Sequence, residues 1–287
     1  MQSRRGTWVI VVSSVFFSSM AVLARHLSKD VPAFQLSLIR FAVGAVLMSS
    51  WFVIRRRPPD VRRPVLLGLR GLFGAGAVLT YFIAIQRLGS GPATVLNYCS
   101  PIYAAIFASW LLKERLTGLM RMGLGVATVG AVLVSIATGE FSTPTQPGLG
   151  GLAGLASGIL GGAAITVIRS LRSDTDSPTD SPTVFFAFSS VGLLVTAPLA
   201  LPGWVALDGA LLPLALLMGV LSVGGQLLFT YGMGFTSASA GSALTQLVPV
   251  LAWVLGVVLL SEPIIPLSAA GALLCVGGVA LGALRRT

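Results

Sequence analysis

The sequence predicts an all-α membrane protein of ten transmembrane helices, arranged as two inverted five-helix repeats, and three observations lead there. Hydrophobic residues make up 55% of the 287 and charged residues only 10%, with a mean hydropathy of +0.91; that leaves too few polar groups to coat a water-soluble globule. Apolar stretches of about 20 residues, the length of one bilayer span, follow one another with short polar breaks between them. Sliding the chain against itself by 148 residues aligns Leu96 with Leu244, Pro101 with Pro249, Glu114 with Glu262, Gly123 with Gly271 and Gly130 with Gly278, without a gap.

Helices are expected near 7–27, 33–54, 64–86, 92–112 and 117–138, and again near 148–168, 182–201, 210–231, 237–260 and 264–284. Ser3-Arg4-Arg5 before the first resembles a secretory or twin-arginine signal. No small-residue cleavage site and soluble mature domain follow, so the helix is read as an uncleaved span. Ser14, Ser18, Ala21 and Arg25 share one face of it and match Gly158, Gly162, Ile165 and Arg169 of the sixth helix at an offset of 144. Such small residues allow close helix approach or line a cavity. The second and third helices hold the two basic residues placed within spans, Arg40 and Arg70. Arg70 is near enough to the cytoplasmic end to snorkel, whereas Arg40 is assigned a structural charge that bonds backbone carbonyls or a partner helix.

The fourth and ninth helices each contain a proline. Pro101 frees the carbonyl of Asn97 and Pro249 that of Thr245, and unpaired backbone at membrane depth is tolerated where other protein or a wet cavity satisfies it. Both are therefore read as helix breaks or hinges beside a central site. In the fifth and tenth helices Gly123 and Gly130, like Gly271 and Gly278, lie two turns apart and make packing faces. Neither Gly123-Leu124-Gly125 nor the run from Gly71 to Gly76 follows a strand, so neither is a nucleotide-binding fingerprint.

The repeat divides the chain into five-helix halves, 1–140 and 148–287. Because five is odd, the second half enters the membrane from the opposite side. Inverted repeats suit alternating access, in which related halves exchange conformations. With a cytoplasmic N-terminus, fourteen of the nineteen Lys and Arg fall inside, while only Arg25, Lys29 and Arg87 lie outside. The positive-inside rule thus puts both termini in the cytoplasm of a cell whose inner membrane holds the protein.

At this point the residues acquire a resemblance. Tyr81-Phe82-Ile83-Ala84-Ile85, then Gly91-Pro92-Ala93, Pro101 and Leu111-Leu112-Lys113-Glu114-Arg115-Leu116, together with Leu38-Ile39-Arg40-Phe41, resemble the EamA type of the drug/metabolite transporter superfamily. The resemblance covers both halves, and in size and layout it is similar to the bacterial aromatic amino acid exporters of the YddG type. It implies export of aromatic or neutral amino acids, or of related metabolites, by alternating access. Other amphipathic drugs or metabolites, or a passive channel-like facilitator, are the alternatives. The second half departs from the motif with Ser261-Glu262-Pro263, and it has Ser190 opposite Arg40.

Substrate-binding residues are expected on the faces that would be wasted on hydrocarbon. Ser242, Gln246, Pro249 and Trp253 share one helical face, and their partners at the 148 offset are Thr94, Tyr98, Pro101 and Ala105. Ser18, Tyr81, Asn97 and Gln226 complete the candidates.

Other chemistries lack parts. All nine carboxylates sit in loops or at helix ends, the lone histidine, His26, lies near the outer end of the first helix, and Cys99 and Cys275 fall inside spans as packing residues. No catalytic residue, metal site or cofactor is expected, and a membrane-embedded enzyme has no convergent nucleophile, base or ligand set. The net charge of +10 is spread over short loops rather than gathered on one module, so nucleic acid is not expected as a partner. The expected partners are a small-molecule solute and the lipid bilayer, and the protein is expected to be a monomer.

Overall fold

In the computed structural model the chain is described over residues 4–111, 118–137, 148–172, 179–233, 245 and 247–283, and its regular elements there are all helical. They are α1 (Arg4–Leu27), α2 (Ala33–Arg55), α3 (Pro64–Leu88), α4 (Ser90–Asn97), α5 (Ser100–Leu111), α6 (Gly118–Ala137), α7 (Leu149–Arg172), α8 (Ser181–Ala200), α9 (Leu211–Met233), α10 (Leu247–Leu260) and α11 (Pro266–Ala283), with a 3-10 turn at Leu201–Gly203. Six of the described helices are long and apolar enough to cross a membrane as they stand, and α10 and α11 are shorter apolar helices. Since α4 and α5 form one interrupted span, ten spans are present.

The helix ends follow from local chemistry. Arg56 adopts a left-handed conformation (φ 50°) after α2, with its N–H on the carbonyl of Val53 and that of Arg57 on Phe52, so two of the last four carbonyls are satisfied without water. Pro64 begins α3, where its missing N–H costs nothing. Asp180 caps α8 by accepting the N–H of Thr183 at 2.8 Å.

The fourth span differs from the single helix expected over 92–112. Tyr98 and Cys99 form a turn, with the amide of Tyr98 on Thr94 and that of Cys99 on Leu96, and α5 restarts with Pro101 as its second residue. Proline suits the first turn of a new helix better than the interior of an old one. Elsewhere α7 runs on to Arg172, beyond the expected 168. Residues 237–244 of the expected ninth helix lie outside the described residues.

Packing joins the halves rather than keeping them apart. α6 lies along α11, α2 along α8, α3 along α7 and α1 along α9. With α1 equivalent to α7 and α3 to α9, the last two pairings are one contact seen twice, as a pseudo-two-fold axis requires. The α6–α11 contact is backbone on backbone: a Cβ on Gly130 would meet the carbonyl oxygen of Gly271 at 2.5 Å, and one on Gly278 the carbonyl oxygen of Gly123 at 2.6 Å. Small residues are what lets helices approach so closely where no hydrophobic force drives them together. Outward-facing Trp8, Val53, Leu72, Trp110, Leu194 and Val258 are exposed, as expected of surfaces whose solvent is lipid.

Candidate functional site

α4 occupies the middle of the bundle, against α3, α7 and α10, and three of the expected substrate residues begin there. Thr94 is buried and its hydroxyl donates to the carbonyl of Ser90 at 2.5 Å. That uses its only proton, so in the 2.6 Å contact between Tyr81 Oη and Thr94 Oγ1 the phenol is the donor. Asn97 turns toward α7 and donates to Ser157 Oγ at 3.2 Å. Tyr98 is half-buried at the break, and Tyr81 is buried on α3.

The other candidates are more scattered. Ser18 is fully buried, and its hydroxyl lies 2.6 Å from the carbonyl of Ser14 and 3.2 Å from that of Val248, so it ties α1 to α10. Trp253 faces protein rather than lipid, with Gly91 so close that a Cβ there would meet its Cγ at 3.0 Å. Gln226 is half-buried on α9, the helix that runs along α1. Pro249 is buried at the start of α10. Ser242 and Gln246 lie outside the described residues. Of the glycines matched to the first-helix face, Gly158 and Gly162 bring α7 against Leu96, Tyr103 and Ala104, which is close approach rather than a cavity wall.

Arg70 corrects the sequence reading. It does not snorkel but is 5% exposed, with its guanidinium carbon 4.2 Å from the ring centroid of Phe188 on α8; the side chain points along the helix into the bundle rather than out to the interface. Arg40 is 7% exposed and lies 5.8 Å from the ring centroid of Phe82. It makes no hydrogen bond to a backbone carbonyl among the described residues; of the two expected partners it meets the partner helix, α3, through the Phe82 ring.

Sequence reasoning missed one cluster altogether. Glu262, just beyond α10, receives the backbone N–H of Ser90 on Oε1 and the Ser90 hydroxyl on Oε2, both at 2.9 Å, so a carboxylate from the second half caps α4 in the first. A carboxylate is well placed there because the N-terminus of a helix presents free N–H groups and the positive end of its dipole. Arg25 Nε lies 3.4 Å from the same Oε1 and its Nη1 donates to the carbonyls of Gln86 and Ile85 at 2.6 and 3.2 Å. Gly89 adopts φ +93° at the junction of α3 and α4, and a Cβ there would meet Glu262 at 2.9 Å. The signal was visible as paired charges at repeat-related positions, Arg25 with Arg169 and Glu262 with Glu114. What no offset contains is that members of different pairs meet. Side chains of Arg169 and Glu114 lie outside the described residues.

Cys99 and Cys275 are buried and free, with Cys99 Sγ donating to the carbonyl of Val95 at 3.5 Å and Cys275 Sγ to that of Ala127 at 3.3 Å. Among the described residues no three His, Cys, Asp or Glu side chains gather in a group that could hold a metal ion.

The EamA-like transporter family model matches twice, over residues 4–136 and 148–283. The chain is 28% identical to the pseudopaline exporter CntI of Pseudomonas aeruginosa, over 82% of this chain and 81% of that protein. It is 25% identical to a probable terminal-alkyne amino-acid exporter of Streptantibioticus cattleyicolor, over 98% and 94% of the two chains. One crystal structure superposes over 98% of both chains with a TM-score of 0.66 at 22% sequence identity, a likeness of fold.

Proposed function

This chain belongs to the EamA-like transporter family, a family of small-molecule transporters rather than enzymes, and from that membership we propose that it exports amino acids or closely related metabolites across the bacterial inner membrane by alternating access. The observation that carries the reading is the doubled match itself, one in each half, in a chain whose equivalent helices pack in equivalent pairs. Two similar halves in opposite orientation supply the two conformations that alternating access needs. The amino-acid class is supported by the amino-acid exporter among the relatives and by the hydroxyls, amide and phenol gathered around α4. Both termini are proposed to be cytoplasmic, on the bias of Lys and Arg toward the loops of that side, and the halves are proposed to divide near 140–148.

Tyr98 and Gln246 are proposed to approach one solute from the two halves. Purified protein in liposomes preloaded with unlabelled amino acids should accumulate labelled amino acid by counterflow, and Tyr98→Ala and Gln246→Ala should each weaken apparent affinity a few-fold, the loss of about one hydrogen bond or one aromatic contact. Absence of flux for every amino acid and amphipathic metabolite would overturn the reading. Flux that neither saturates nor exchanges would identify a channel-like facilitator instead.

A further inference from the structure

Among the described residues Arg40 and Arg70 are the two buried guanidiniums, and neither has a hydrogen bond or an ion pair. Nε of Arg70 is buried with no partner at all. Their neighbours are aromatic faces, Phe82 for Arg40 and Phe188 for Arg70, and a ring face offsets only part of what a buried cation loses in leaving water. They stand on α2 and α3, which pack against each other.

The protein's own carboxylates are accounted for elsewhere. Glu262 is held by Arg25 and Ser90, Asp60 by Arg62, and Asp180 caps α8. Asp30 and Asp208 are exposed between helices, and the other four, Glu114, Glu140, Asp174 and Asp176, lie outside the described residues at sequence positions between spans. Among the described residues, then, no carboxylate compensates the pair. Guanidinium is suited to an anion from outside the chain, since its planar fork matches the two oxygens of a carboxylate. Arg40 lies over Phe82, the neighbour of Tyr81 on α3, and Tyr81 bonds Thr94 of α4, the helix that ends at the break in the fourth span.

We infer that Arg40 and Arg70 form the anion subsite of the transport pathway and bind the carboxylate of the carried solute. This deepens the transport reading above and depends on it: a solute lacking the carboxylate leaves two buried charges unpaired, so the protein discriminates acids from their amides. The pair belongs to the first half alone, because Ser190 stands opposite Arg40 in the second, so the charge of the subsite does not follow the repeat.

The test uses full-length protein in liposomes and the labelled amino acid that shows the largest counterflow. Unlabelled parent amino acid should compete with it about tenfold more effectively than its carboxamide, as expected for loss of one charge-assisted contact. In Arg40→Gln and Arg70→Gln that preference should collapse to within about twofold, while Arg40→Lys and Arg70→Lys retain part of it. Equal competition by acid and amide in the unsubstituted protein overturns the inference even if no variant folds. So does an unchanged preference in folded glutamine variants. Absence of counterflow with every amino acid instead defeats the transport reading, which separates the two failures.

Discussion

At the scale of single residues, buried polar groups matter through what each is left with when its partner goes. Tyr81 and Thr94 are joined by one bond of 2.6 Å, but Thr94 keeps the Ser90 carbonyl if the phenol is removed. Tyr81→Phe should then cost about 0.5–1.5 kcal/mol, whereas Thr94→Val, which orphans the phenolic proton, should cost about 1–3 kcal/mol. Thermal unfolding in detergent checks the order, and equal losses would contradict the donor assignment. Glu262 is different because its carboxylate serves a helix end and a cation at once. Arg25→Met and Glu262→Gln should each destabilise the protein, and the double variant should lose less than the sum, with a coupling of about 0.5–3 kcal/mol. At the solvent-facing end of the molecule Asp60 is exposed, and the Arg62 guanidinium bonded to it holds its carboxyl below the ordinary carboxylate range. Its small contribution is present at neutral pH and fades as pH falls through that lowered value.

At the scale of elements, helix contacts decide which glycines matter. Gly130 has the backbone of α11 within 2.6 Å of where a Cβ would sit, whereas Gly125 on the same helix would meet nothing within 4 Å. Gly130→Ala should therefore force α6 and α11 apart and cost about 1–3 kcal/mol, while Gly125→Ala should be neutral or slightly stabilising. The yield of monodisperse protein and its melting temperature read both. The broken fourth span gives a second expectation. Pro101 sits in the first turn of α5, so Pro101→Ala should leave insertion and stability nearly intact, and it should lower flux by letting α4 and α5 join if the transport cycle uses the break. Loss of folding with normal activity per folded molecule would identify the proline as a packing kink.

At the scale of the whole molecule, the inverted repeat makes a statement about sidedness that labelling can test. With both termini cytoplasmic, single cysteines in the Arg55–Arg63 loop and in the Glu140–Pro147 loop, in a background lacking Cys99 and Cys275, should react oppositely with an impermeant reagent applied outside the cell. Equal labelling would remove the orientation. If both termini are cytoplasmic, the Arg25–Glu262 contact lies on the outer side, since α1 and α3 end there and α10 approaches it from the second half.

Composition and periodicity were enough for the membrane class, the ten spans and the doubling, because each depends on averages over some 20 residues and on an offset that recurs along the chain. The glycine faces of α6 and α11 were legible for the same reason: spacing along one helix fixes which side it presents. Where sequence stopped was at contacts between positions without a shared offset. Glu262 reaching Ser90 and Arg25, Ser18 reaching Val248, and Asn97 turning to Ser157 each join residues 60 or more apart in the chain. Arg70 shows the physical reason plainly. Its distance from the helix end permitted either snorkelling to water or burial, and only the position of α8, which brings Phe188 over the guanidinium, chose between them.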